Sequence, residues 1–156
     1  MGTTLFFLAA PLDGWRAALW KSDGTSSGTV AIRAGDQRFE FSAPGWLTPM
    51  GSTLYFSAYD PARGWGLWKT DGTDSNTVLV RNVNSTVPLT PPQVGELAAG
   101  QSLLYFSADD GIHGRELWES DGTASGTFLL KDIKSGPSSS NPEDLTQLGS
   151  VQLFYV

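Results

Sequence analysis

The chain has no cysteine, one histidine and only 10 basic residues against 16 acidic ones in 156 positions. Without cysteine there is no disulfide framework, no thiolate nucleophile and no cysteine-based zinc site. A net charge of −6 argues against a nucleic-acid groove, which needs a basic face. No apolar run approaches the eighteen or so residues of a membrane-spanning helix, so membrane insertion is not expected. Met1-Gly2-Thr3-Thr4 shows neither a basic n-region nor a cleavage site after an apolar stretch, and Phe6 breaks the myristoylation pattern, so no targeting signal is read there. Charged residues are also scarce, at 17%. In their place stand 18 glycines, 9 prolines and 12% aromatics. Turn-formers and aromatics together describe a folded, β-rich chain rather than a disordered one.

What is present is one segment written several times. "ALWKSDGTSSGTV" (18–30), "GLWKTDGTDSNTV" (66–78) and "ELWESDGTASGTF" (116–128) align without gaps, and Trp20, Trp68 and Trp118 fall 48 and 50 residues apart. Upstream of each lies "TLFFLA" (4–9), "TLYFSA" (53–58) or "LLYFSA" (103–108), with "QLFYV" (152–156) as a last echo. A third element recurs as "GWLTPMG" (45–51), "GELAAG" (95–100) and "EDLTQLG" (143–149). The period, about 49 residues, belongs to solenoids, propellers or arrays. One repeat domain over 1–156 follows, with units near 1–42, 43–90 and 91–140 and a partial unit at 141–156.

Each unit reads as four short strands with no 3.6-residue period, which excludes helical repeats. In the third, strands are expected over 103–108, 115–120 and 127–133, with Asp144–Leu148 opening the next unit. Leu103-Leu104-Tyr105-Phe106, Leu117-Trp118 and Phe128-Leu129-Leu130 are apolar at consecutive positions. A sheet with one wet face would alternate, so both faces must be covered. Radially stacked four-stranded antiparallel sheets, a β-propeller, meet that demand better than a β-helix or a sandwich.

With these residues in view, "ELWESDGTASGT" (116–127), "LYFSADDG" before it and "LLKDIKSGPSS" after it resemble the bacterial ELWxxDGT repeat proteins. The first copy departs with Ala18 in place of Glu, the second with Gly66 for Glu and Asn76 for Gly. The resemblance implies propeller blades and a secreted or cell-surface setting. It implies no catalytic activity and no cofactor.

Labelling the strands of a blade A to D from the axis outward, the chain supplies B, C, D, then two full sets, then A and B. That is three blades and a fraction, an open arc with an apolar face bare at each end. Propellers usually close with four to eight blades, and two-fold self-association is the simplest remedy. A homodimer with six blades is expected, in which "QLFYV" competes with "TLFFLA" for one slot; the alternative is a piece of a longer chain whose neighbouring repeats complete the ring.

Candidate chemistry is sparse. Asp23-Gly24-Thr25, Asp71-Gly72-Thr73 and Asp121-Gly122-Thr123 read as structural turns, because Gly accepts positive φ and Asp can bond nearby amides. As calcium sites they fall short, one carboxylate per copy against six to eight oxygens. Trp20, Trp68 and Trp118 read as core between sheets, their indole N–H groups wanting an acceptor. His113 lacks a second His or any Cys to build a catalytic or metal centre. Positions that differ among copies are the better binding candidates: Trp15, Arg63 and His113 five residues before the repeat tryptophan, with Trp65 and Arg115 three before it. These turns are expected to share a face with the connections 34–44, 82–92 and 134–142. Aromatic and arginine side chains there suit a protein or carbohydrate ligand. No catalytic residue, cofactor or metal is assigned, and the expected role is a non-enzymatic scaffold, with a lectin-like module as the alternative.

Overall fold

The computed structural model describes residues 4–10, 18–34, 37–38, 46–60, 63–84, 94–148 and 151–155. Among them the chain is all β, with no helix. Among the described residues no helix is long and apolar enough to cross a membrane. The strands are β1 (Leu5–Ala9), β2 (Ala18–Ser22), β3 (Val30–Ala31), β4 (Arg33–Ala34), β5 (Gln37–Arg38), β6 (Thr48–Met50), β7 (Thr53–Asp60) and β8 (Gly64–Thr70). They continue as β9 (Val78–Asn84), β10 (Val94–Ala99), β11 (Leu104–Asp109), β12 (Arg115–Ser120), β13 (Thr127–Lys131), β14 (Glu143–Leu148) and β15 (Val151–Tyr155).

Neighbours in sequence are neighbours in space. The first sheet runs β1-β2-β3, the second β6-β7-β8-β9 and the third β10-β11-β12-β13. The pair β14-β15 begins a fourth, and β4-β5 is a separate two-stranded ribbon. Every ladder is antiparallel, as short hairpin turns require. Register repeats as well. Trp20 lies opposite Phe7, Trp68 opposite Phe56 and Trp118 opposite Phe106. The outer strand of the first copy departs from expectation by breaking at Ile32, whose N–H still reaches the Leu19 carbonyl at 2.8 Å before β4 turns away to pair with β5.

The turn between the third and fourth strand positions is locked the same way three times. Asp121 Oδ1 accepts the Thr123 backbone N–H at 2.8 Å and its hydroxyl at 2.7 Å. The Thr127 hydroxyl donates to the Thr123 carbonyl at 2.6 Å and shares a bond with the Ser120 hydroxyl at 2.7 Å. Asp23–Thr25–Thr29 and Asp71–Thr73–Thr77 repeat this pattern. Gly24, Gly72 and Gly122 hold φ of 94°, 96° and 86°, which a side chain would strain. The motif is therefore a self-satisfied turn.

Two apolar clusters glue the sheets. One joins Leu19 and Ile32 of the first sheet to Leu54, Phe56, Ala58 and Trp68 of the second. The other joins Tyr55, Leu67 and Val80 of the second to Leu97, Leu104, Phe106 and Trp118 of the third. The second sheet is thus covered on both faces, which accounts for its unbroken apolar runs. Trp68 and Trp118 are buried as expected, while Trp20 is half-buried. Trp68 donates to the Ala58 carbonyl at 3.3 Å, whereas the indole N–H groups of Trp20 and Trp118 meet no acceptor among the described residues.

Candidate functional site

The face carrying the turn before β12 and the link after β13 holds a densely hydrogen-bonded polar region. Asp110 organises the turn: Oδ1 accepts the N–H groups of Ile112 and His113, each at 2.9 Å, and Oδ2 lies 2.8 Å from His113 Nδ1. That bond, reinforced by the Asp110 charge, raises the His113 pKa. Burial alone would raise the Asp110 carboxyl, but the donors from His113 and Ile112 outweigh it and hold it below its ordinary value. His113 is accordingly a partner within its own turn.

Against this turn lies the link 132–142. Gly114 has φ 70°, and a Cβ there would meet the Pro137–Ser139 backbone at 2.9 Å, so only glycine lets the two segments touch. Arg115 N–H donates to Ser139 Oγ at 2.9 Å, and the Arg115 carbonyl accepts from Ser140 and Asn141, both at 3.1 Å. Glu116 is the anchor. Its buried carboxylate accepts Ile133 N–H at 2.9 Å, Ser140 N–H at 2.9 Å and the Ser140 hydroxyl at 2.7 Å. Burial pushes its pKa up, yet those donors together win and the group is held low, as a charged acceptor.

Next to this anchor opens a cavity of about 650 Å³ lined by Trp46, Glu96, Ser107, Arg115, Glu143 and Asp144, among others. Trp46, Glu96 and Asp144 occupy the same position in the segments "GWLTPMG", "GELAAG" and "EDLTQLG", at or just before β6, β10 and β14. Trp46 and Asp144 take positive φ, 79° and 54°, aiming them out of the regular ladder. Trp46 is exposed. Glu96 Oε1 accepts the Leu145 N–H at 3.1 Å and so ties β14 to β10. Arg115 Nη1 lies 3.4 Å from Ser107 Oγ, and a Cβ on Gly95 would sit 2.6 Å from that same nitrogen. Burial lowers the Arg115 pKa, partly offset by Asp109, but a guanidinium stays charged. One cation, three carboxylates and an open indole can engage a polyhydroxylated molecule, whose hydroxyls both donate and accept.

The five expected binding residues part ways here. Arg115 reaches the cavity and His113 stays in the adjoining turn. Arg63 is exposed and pairs with Asp60 at 2.5 Å, while its carbonyl accepts from Asn82. Trp65 is only 1% exposed and lies 5.7 Å from the Tyr59 ring, so the expected ligand-facing ring is packed away instead. Trp15 lies outside the described residues. Trp46 went unnoticed in the sequence because it sits in a different element from the varying turns. Among the described residues, no three His, Asp or Glu side chains converge on a metal site. No protein-family model matches the chain, and no curated protein matches it.

Proposed function

We propose that this chain is a non-enzymatic β-propeller module of the ELWxxDGT kind, a rigid scaffold that presents loops for binding or adhesion at a cell surface or after secretion. The reading takes each four-stranded sheet as a blade and two chains as a six-bladed ring. One observation carries it: the second sheet is sealed by apolar clusters on both faces, with the same register in all three sheets. Such a unit must have a neighbour on either side, and radial stacking supplies one. Sedimentation or native mass measurement is expected to give two chains. A well-folded monomer would defeat the ring.

The cavity beside Arg115 favours a second reading, a lectin-like propeller. Its test is a glycan array with Arg115→Ala and Trp46→Ala as controls. Binding lost in both variants supports the lectin, and silence from the unaltered protein returns the loops to scaffolding alone.

A further inference from the structure

The chain contains the same joint twice, and the parts of a third lie at its two ends. At the first joint Lys21 Nζ donates to the Gly72 carbonyl at 2.6 Å, and the Phe6 ring leaves only 3.2 Å for a Cβ on Gly72. At the second, Lys69 Nζ donates to the Gly122 carbonyl at 2.8 Å, and a Cβ on Gly122 would collide with the Tyr55 hydroxyl. Outer-strand contacts accompany both: Arg33 N–H to Asp74 Oδ1 at 2.9 Å, and Arg81 Nη1 to the Ala124 carbonyl at 3.0 Å. The first and second sheets thus each offer an aromatic ring and a cation to the glycine turn of the next.

Now compare the ends. Gly72 and Gly122 are buried, whereas Gly24 is exposed and a Cβ there would meet nothing within 4 Å. Leu54 and Leu104 are 4% and 0% exposed under the preceding sheet, whereas Leu5, at the same strand position, is 61% exposed. Among the described residues β7 pairs with β6 and β11 with β10, whereas β1 is the edge of its sheet. An uncovered edge strand is a template for another strand. The third sheet holds the complementary half in Tyr105, Glu119 and Lys131, at the positions of Tyr55, Lys69 and Arg81.

We infer that a second copy of this chain docks head to tail at this joint, with Tyr105 of one copy seated over Gly24 of the other and β14 pairing with β1. The inference rests on the ring reading above and specifies its seam. For β1 to reach β14, β15 must yield. In this structure β14 pairs with β15, so the seam exchanges one antiparallel partner for another. The incoming β1 brings β2 and β3 behind it.

The seam carries one deliberate mismatch. Glu119 stands where Lys21 and Lys69 stand, so no cation is offered to the Gly24 carbonyl, and a carboxylate approaches Asp23 instead. Association is therefore weaker than the internal joints, and salt strengthens it by screening. Glu119→Lys is expected to tighten the two-chain species by about tenfold per seam, the worth of one charge-assisted hydrogen bond.

Sedimentation equilibrium tests the seam with Leu5→Arg, Tyr105→Arg and Glu119→Lys, each checked by circular dichroism. Leu5→Arg and Tyr105→Arg alone are expected to be folded monomers. Mixed, they re-form a two-chain species, because one sound seam survives between the good ring of the first and the good socket of the second. Two chains unmoved by any of the three variants would overturn this seam and leave the ring standing. Monomers that fail to recombine would overturn it too, since the contact would then not run head to tail. A monomeric unaltered protein, unmoved by Glu119→Lys, would overturn both seam and ring.

Discussion

At Asp23, Asp71 and Asp121 a hydroxyl from the threonine two residues on leads, joined by that threonine's amide and, at Asp71, by the Asn76 side chain ahead of it, and these donors lower each pKa. Because the folded value lies below the unfolded one, the ionised turns add stability above the ordinary aspartate pKa of about 3.9. That contribution is lost as pH falls through the depressed values. Melting temperature should therefore drop on acidification below about pH 4, and the triple variant D23N/D71N/D121N should flatten that acid slope. His113 runs the other way. Its raised pKa makes the Asp110 pair worth most below about 6.5 and lost as pH rises through the folded value. An NMR titration should place the ring above its ordinary pKa, and Asp110→Asn should return it to about 6.5. The buried Ser120–Thr127 hydroxyl pair offers a sharper measurement. Thr127→Val removes a donor to the Thr123 carbonyl and takes the acceptor from the Ser120 hydroxyl proton, while the Ser120 oxygen keeps the Gly122 N–H, at a cost of about 1–3 kcal/mol in chemical denaturation.

Strands and turns were legible because their signals are local. The expected second strand of the third copy, 115–120, matches β12 residue for residue, since Gly114 and Asp121 punctuate it on both sides. The apolar doublets pointed to two covered faces, and the two clusters supply them for the second sheet. What escaped notice depends on contacts between elements. Glu116 reads as a surface acid within a strand, and only the 132–141 link closing over it makes it a buried acceptor. The sequence hints at this pairing: the first two copies carry Ala18 and Gly66 at that position and also lack the "KDIKSGPSS" segment. Trp65 misled for the same reason, as its burial comes from its neighbours and not from its turn. The cavity was invisible because it draws Trp46, Glu96 and Asp144 from three separate units. Glu116→Ala should cost about 3 kcal/mol by leaving buried amides unpaired. Hydrogen exchange should then quicken at Ile133 and Ser140, while the β11–β12 ladder stays protected.

At the scale of the whole molecule, the apolar clusters among the described residues join sheets that are neighbours in sequence, so stability is close to a sum of nearest-neighbour terms. Phe56, buried against the first sheet, and Phe106, buried against the second, occupy the same register at successive joints. Truncating either to alanine should cost about 3–5 kcal/mol, but the damage should stay at its own joint. Residue-resolved exchange would show it: Phe56→Ala should loosen β1–β3 first, and Phe106→Ala the sheets on either side of the second cluster. The middle sheet alone belongs to both clusters, and this gives the chain a mechanical character. Pulled from its two ends, it should come apart as a short train does at its couplings, one carriage after another. A force trace should record separate ruptures rather than a single collapse, and the carriage coupled at both ends should be the last to let go.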